Sequence, residues 1–228
     1  VTDTHVLAME VVLPDGDVAL FGGLDAEPEG LDLRGAFIGS EGTLGITTKI
    51  AVRLTPNPDD VQTILISFPS MRKAAETVSA IIADGIVPAA MEAMDQKTIE
   101  VIEQHIPAGY PTNAGAVLLV EVEGLADGVE IDALRIGEIA ETHEADDIKI
   151  AQTSYQRDAL WKGRKSAFGA STYLAPNYYL HDTVVPRSEL ANVLDKVNQL
   201  AEENDLTIMN VFHAGDGNLH PLLVFDAN

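Results

Sequence analysis

The chain has 228 residues, with 14 lysines and arginines against 36 aspartates and glutamates, a formal net charge of −22 and no cysteine. That length holds one large domain or two smaller ones, and 46% hydrophobic with 22% charged residues is the composition of a globular protein, not a disordered one. Zero cysteines exclude a disulfide framework, a thiolate metal site and a cysteine nucleophile. The acidic balance repels phosphate, so no nucleic acid partner is expected. No apolar run approaches the ~18 residues of a transmembrane segment, and no signal-like N-terminus is visible. The first residue is Val1, which points to a piece of a longer chain.

The first fifty residues read as strand and loop. Val6–Leu13 is an apolar run, Pro14–Asp17 a turn, and Val18–Phe21 a second run, together a hairpin. A loop rich in Gly, Asp, Glu and Pro spans Gly22–Gly35. Alternation over Ile46–Leu54 marks a half-buried strand. Thr55-Pro56-Asn57-Pro58-Asp59-Asp60 can continue neither strand nor helix, which places a domain boundary there.

Strands and helices then alternate. Gln62–Phe68 is a strand, and Ser70 caps a helix through Ala83 that Gly85 ends. Val87–Met94 is a strand, and Asp95 caps a helix to His105. Ala116–Val122 is a strand, Asp127 caps a helix to about His143, and Ile148–Gln152 is a short strand. Ser154 caps a helix to about Phe168, and Tyr178–His181 is a strand. Ser188 caps a helix to Asn204, and strands Leu206–Phe212 and Leu219–Phe225 close the series. The expected class is an α+β or α/β sandwich, with recurring β-α-β units as in doubled ferredoxin-like folds.

Three segments carry candidate chemistry. In Phe212-His213-Ala214-Gly215-Asp216-Gly217-Asn218-Leu219-His220, a two-residue Asp216-Gly217 turn would set His213 directly opposite His220 and Phe212 opposite Pro221. Two imidazoles that close suit a divalent metal; the alternative is a hairpin with two surface histidines. Gly39-Ser40-Glu41-Gly42-Thr43-Leu44-Gly45 is neither a P-loop nor a dinucleotide fingerprint. Its glycines either let the backbone press against a flat or charged ligand or form a tight β-corner. On the third segment, Arg157, Trp161 and Arg164 share a helix face beside Lys165 and Phe168, fit for a planar carboxylate or for simple solvation. His181-Asp182 is an extra ligand or orienting pair at a strand end.

Phe37-Ile38-Gly39-Ser40-Glu41-Gly42-Thr43-Leu44-Gly45-Ile46-Thr47, Leu160-Trp161-x-x-Arg164 and His213-x-Gly-Asp-Gly-Asn-x-His220, in that order, resemble FAD-linked 2-hydroxyacid dehydrogenases of the vanillyl-alcohol oxidase type. Within that group the glycolate oxidase flavoprotein subunits and D-lactate dehydrogenases are the most similar, through the whole chain. The resemblance implies that residues 1–55 are the C-terminal portion of an FAD-binding domain. Residues 60–228 would be a ferredoxin-like cap domain with an antiparallel sheet and flanking helices, incomplete at its C-terminus. A flavin-pyrophosphate loop is expected ahead of Val1, and a Glu-His pair supplying the third metal ligand and a candidate catalytic base after Asn228, so this chain alone is expected to be inactive and not to retain FAD. The resemblance implies Ser40, Glu41, Gly42, Thr43, Gly45 and Ile46 for the flavin, and Arg164 with Lys165 for the substrate. It also implies His213 and His220 for a divalent metal such as Zn²⁺, and Arg164 and His220 as catalytic.

The implied reaction is oxidation of a small 2-hydroxy acid, of the glycolate or D-lactate class, to the 2-oxo acid, with hydride passing to FAD and metal assistance. An electron acceptor or iron–sulfur partner subunits, and a cytoplasmic place or one peripheral to a membrane, go with it. The competing expectations are a non-catalytic ligand- or metal-binding ferredoxin-like module and a metal-dependent hydrolase using His213, His220 and Asp182.

Overall fold

The computed structural model describes residues 2–24 and 30–227, the side chain of Thr2 excepted. Residues 25–29, in the middle of the loop expected over 22–35, lie outside the described residues. The chain divides into two units, Val1–Asn57 and Pro58–Asn228.

In the first unit, helix α1 (Thr2–His5) leads into strand β1 (Val6–Val12), followed by β2 (Val18–Gly22), helix α2 (Leu33–Phe37) and β3 (Ile46–Val52). The three strands pair antiparallel in the order β2-β1-β3. Helix α2 was not expected. Asp32 caps it, its Oδ1 accepting from the Gly35 amide at 2.9 Å. Phe37 from this helix joins Val6, Met9 and Val11 of β1 in a small core, and a Phe21–Phe37 ring contact closes it at 5.7 Å.

The second unit runs β4 (Asp60–Phe68), α3 (Met71–Ala83), β5 (Ala90–Asp95), α4 (Gln96–His105), β6 (Ala116–Gly124), α5 (Ala126–Thr142), β7 (Asp147–Ile150), α6 (Ser154–Ala170), β8 (Asn177–Leu180), β9 (Thr183–Val184), α7 (Leu190–Glu203), β10 (Thr207–His213), β11 (Asn218–Leu219) and β12 (Pro221–Phe225). The sheet order is β7-β4-β6-β5-β10-β11-β9, with β12 joining β10 to β8, and every pair is antiparallel. The first four strands form a split β-α-β pair with a ferredoxin-like order. The arrangement β8-α7-β10, with β12 between the two strands, repeats its first part. The α+β class with an antiparallel sheet is the one that the resemblance implies.

The central strands β4, β5, β6 and β10 are buried on both faces, and residue parity decides which helices each side chain meets. Ile64, Ile66, Phe68, Leu118 and Val120 face the layer of α3, α5 and α7. Leu65, Val117, Leu119, Met94, Met209 and Val211 face α4 and α6. Each such side chain contributes roughly 1.5–3 kcal/mol when fully buried. Ser70 and Asp95 cap α3 and α4 as expected, accepting from the Lys73 and Thr98 amides. Other starts differ. Helix α5 begins after Leu125 with no side-chain cap, Thr153 rather than Ser154 caps α6, and a 3-10 turn at Arg187–Glu189 leads into α7 in place of a Ser188 cap. Among the described residues, no helix is long and apolar enough to cross a membrane.

Candidate active site

Parity and register build the site. On β5, Met91 and Ala93 belong to the α3/α5/α7 side, so the intervening Glu92 points with Met94 toward α4 and α6. On β10, Phe212 faces the first layer while Met209 and Val211 face the second, which carries His213 to the same side as Glu92. The strands pair Val211 with Met94 and His213 with Glu92. Glu92 and His213 are therefore neighbours on one face of the sheet.

Helix α6 supplies the third member. Arg164 is 5% exposed and reaches Glu92 Oε2 from Nε at 3.0 Å and Nη2 at 2.7 Å. Nδ1 of His213 lies 2.8 Å from Glu92 Oε1, so the two carboxylate oxygens are engaged by different elements. One helical turn earlier, Trp161 Nε1 donates to Glu121 Oε2 at 2.7 Å, and Thr63 Oγ1 donates to the same oxygen at 2.6 Å. Two carboxylates in the sheet thus hold α6 by its Trp161 and Arg164. The shared face expected for Arg157, Trp161 and Arg164 divides. Trp161 and Arg164 turn to the sheet, Arg157 stays near Asp158 at 3.6 Å, and Lys165 is exposed.

The hairpin after β10 differs from the expected two-residue turn. His213 faces Asn218, and Asn210 faces Pro221 in place of Phe212. The loop spans four residues, with Ala214–Asp216 in a 3-10 turn and Gly217 alone left-handed at φ 72°. A type I′ turn needs positive φ at both central residues, and Asp216 is held instead in the 3-10 turn. The loop is pinned from outside. The Val185 amide donates to the Gly217 carbonyl at 2.9 Å, and Arg187 Nε donates to the Gly215 carbonyl at 2.6 Å. A Cβ on Gly217 would stand 2.3 Å from the Val185 carbonyl oxygen.

His220 is consequently a diagonal neighbour of His213 and not its direct partner. Parity still leaves both on one face, within reach of large side chains, and their ring centroids are 5.2 Å apart at 85°. His220 is 8% exposed, and Phe168 of α6 packs against its edge at 6.0 Å. Its Nδ1 is buried without a hydrogen-bond partner, and Asp182 Oδ1 is 3.6 Å away. Burial holds this imidazole below its ordinary pKa, with Asp182 opposing in part. Asn218 Oδ1, in the same turn, is also buried and unpartnered.

Glu92 is the central residue that the sequence reading misses. The available signal is an acid inside Ala90-Met91-Glu92-Ala93-Met94, a strand whose other positions are small or apolar. For the expected metal, the described residues hold no group of three His, Cys, Asp or Glu side chains fit for an ion. Structural zinc sites take four ligands and catalytic ones at least three. The pair of imidazoles alone does not meet that requirement.

In the first unit, Ser40, Glu41, Gly42, Gly45 and Ile46 line one cavity of about 390 Å³ with Val6, Met9 and Phe37. Thr43 is not among the lining residues. Its hydroxyl and amide both donate to the Ser40 carbonyl, at 2.6 and 3.0 Å, and close the turn. Gly39, Glu41 and Gly42 all have positive φ, and a Cβ on Gly39 or Gly42 would meet nothing within 4 Å. At Gly45 a Cβ would lie 2.7 Å from the Val12 carbonyl oxygen. An apolar hollow rimmed by open glycine backbone fits one wall of a planar aromatic group such as a flavin.

Residues 57–228 match the family of FAD linked oxidases, C-terminal domain. The chain belongs to the FAD-linked oxidases. Similar proteins include the glycolate oxidase subunit GlcD of Escherichia coli (strain K12), 42% identical over 224 residues, 98% of this chain and 45% of that protein. GlcD of Bacillus subtilis (strain 168) is 44% identical, covering 99% and 48%. The mitochondrial D-lactate dehydrogenase [cytochrome] of Arabidopsis thaliana is 31% identical, covering 97% and 39%. This FAD-linked oxidase chain thus spans about half the length of the curated relatives it matches. Among solved structures, p-cresol methylhydroxylase with substrate bound superposes with a TM-score of 0.75 at 15% identity, over 98% of this chain and 52% of that one. An alkyldihydroxyacetonephosphate synthase superposes at 0.72 and 15%, over 97% and 46%. At that identity they share the fold alone.

Proposed function

We propose that the whole protein oxidises a small 2-hydroxy acid, of the glycolate or D-lactate class, to the 2-oxo acid. The observation that carries this reading is the convergence of Arg164, His213 and His220 around Glu92 in a chain of this family. Ser40, Glu41, Gly42, Gly45 and Ile46 would form one wall of the flavin site, with Thr43 shaping the turn. Bound FAD would supply the acceptor for the Cα hydrogen and its electron pair.

The remaining work falls to the protein. Arg164 would hold the substrate carboxylate. Glu92 occupies its Nε–Nη2 edge, so the Nη1 side is what remains for a ligand. Lys165 would add positive potential near an anionic substrate, against an overall charge of −22. When hydride leaves Cα, the hydroxyl proton must leave the oxygen. A buried neutral imidazole at His220, its pKa held down by burial, would accept it. A divalent ion would instead take up the His220 lone pair, with His213 as a second ligand, and would need a third donor beyond the described residues, so no step is routed through it. Partner subunits and a cytoplasmic or membrane-peripheral place belong to this same proposal.

The test is anaerobic mixing of the FAD-loaded protein with glycolate or D-lactate, followed at the flavin absorbance. Bleaching by either acid, lost or shifted to much higher substrate concentration in Arg164→Met, supports the reading. No bleaching by any small 2-hydroxy acid overturns it.

A further inference from the structure

Glu92 stands where β5, β10 and α6 meet. Its Oε1 lies 2.8 Å from His213 Nδ1, and its Oε2 takes Nε and Nη2 of Arg164 at 3.0 and 2.7 Å. Glu92 and Arg164 are buried, whereas the His213 side chain is 45% exposed. A carboxylate only accepts hydrogen bonds, so the hydrogen between Glu92 and His213 resides on Nδ1. In the neutral form of the ring, Nε2 then carries the lone pair.

We infer that Glu92 is a positioning residue that sets two groups at once. It fixes His213 in the Nδ1–H form with Nε2 presented outward, and it clamps the Arg164 guanidinium by its Nε–Nη2 edge. A carboxylate oriented behind an imidazole is the usual means of fixing which ring nitrogen is offered to a ligand. Here the same carboxylate also fixes the adjacent cation. A mere fastening of α6 to the sheet would not depend on a ring tautomer, and the Trp161–Glu121 contact already provides one.

The distinction can be measured because glutamine has the shape of glutamate but only one acceptor oxygen. Arg164 offers donors alone, so in Glu92→Gln the amide oxygen must turn to Arg164 and the NH₂ group to His213. A donor facing Nδ1 requires that nitrogen to be bare, and the ring hydrogen moves to Nε2. Long-range ¹H–¹⁵N correlation spectra of the imidazoles distinguish the two forms.

In the wild-type chain, His213 should show a protonated Nδ1 and a bare Nε2. In Glu92→Gln the pattern should reverse. A second arm rests on the proposed function. In the FAD-loaded protein, Glu92→Gln should lower kcat/KM for the hydroxy acid about 10- to 100-fold, as loss of an orienting outer partner does for activity. Reversal together with weaker hydroxy-acid use supports both claims. Reversal in a protein whose flavin no hydroxy acid reduces supports the positioning role and overturns the functional reading. A wild-type His213 with hydrogen on Nε2, or an unchanged ring in the variant, overturns the positioning role. Should the variant not fold, the wild-type spectrum alone decides.

Discussion

Arg164 and Glu92 form an ion pair between α6 and β5, Nη2 to Oε2 at 2.7 Å, with side chains only 7% and 10% exposed. Breaking a buried pair by removing one partner leaves a charge without compensation and costs about 3–5 kcal/mol. Arg164→Met should lower the unfolding free energy by that order. Arg164→Lys keeps the charge but not the fork, and should cost about 1.5–3 kcal/mol. Urea unfolding curves check both, and unchanged midpoints would mean the pair is not formed in solution.

Gly163 lies inside α6, where replacing glycine by alanine ordinarily stabilises a helix by about 1 kcal/mol. Here the sign reverses. A Cβ at 163 would stand 2.6 Å from Ala108 Cβ and 2.7 Å from Tyr110 Cε2. Tyr110 is 4% exposed, and its hydroxyl donates to the Leu160 carbonyl, so the ring has little room to retreat. Gly163→Ala should destabilise by about 1–3 kcal/mol, the range of core overpacking. A raised melting temperature would contradict this.

Gly45→Ala should act on the first unit. The residue has φ 155°, and its Cβ would press on Val12 O at 2.7 Å and Val11 Cγ1 at 3.0 Å. The expected cost is about 1–3 kcal/mol of backbone strain, before any clash. Thermal unfolding, compared with Gly39→Ala where the Cβ meets open space, separates the clash from the conformational term. Equal shifts in the two variants would reject the clash.

His220 makes stability depend on pH. Burial lowers its pKa in the folded chain from an ordinary 6.5. The unfolded chain therefore binds the proton more readily. The contribution is fully present above about pH 6.5 and is lost as pH falls through the lower, folded value. The stability of the wild type relative to His220→Gln should fall between pH 7.5 and pH 5. A flat difference would place His220 in water, and one of opposite sign would make the Asp182 carboxylate, not burial, the dominant influence.

Zn²⁺ should perturb the ring resonances of His213 and His220 together, since their centroids are 5.2 Å apart. Binding should be stronger at pH 7.5 than at pH 5, because an imidazole ligates only when neutral. Independent responses of the two rings in an NMR titration would separate them.

Much of the molecule is legible in the residues because local rules decide it. The Ser70 and Asp95 caps, the hairpin around Pro14–Asp17 and the glycine-rich run from Gly39 to Gly45 depend on neighbours a few positions away. So did the family, whose three ordered motifs lie in the sequence. What the tertiary structure alone decides is long-range. Glu92 has no motif, and becomes central only because β10 pairs with β5 in the register that sets it beside His213 and beneath Arg164. The hairpin length is long-range for the same reason. Asp216-Gly217 favours a two-residue turn locally, whereas Val185 and Arg187, distant in sequence, hold the four-residue loop. Arg164, plausible as a solvated cation on a helix face, is buried because a sheet carboxylate waits for it. Local sequence chooses the elements, and register and burial choose which side chains meet.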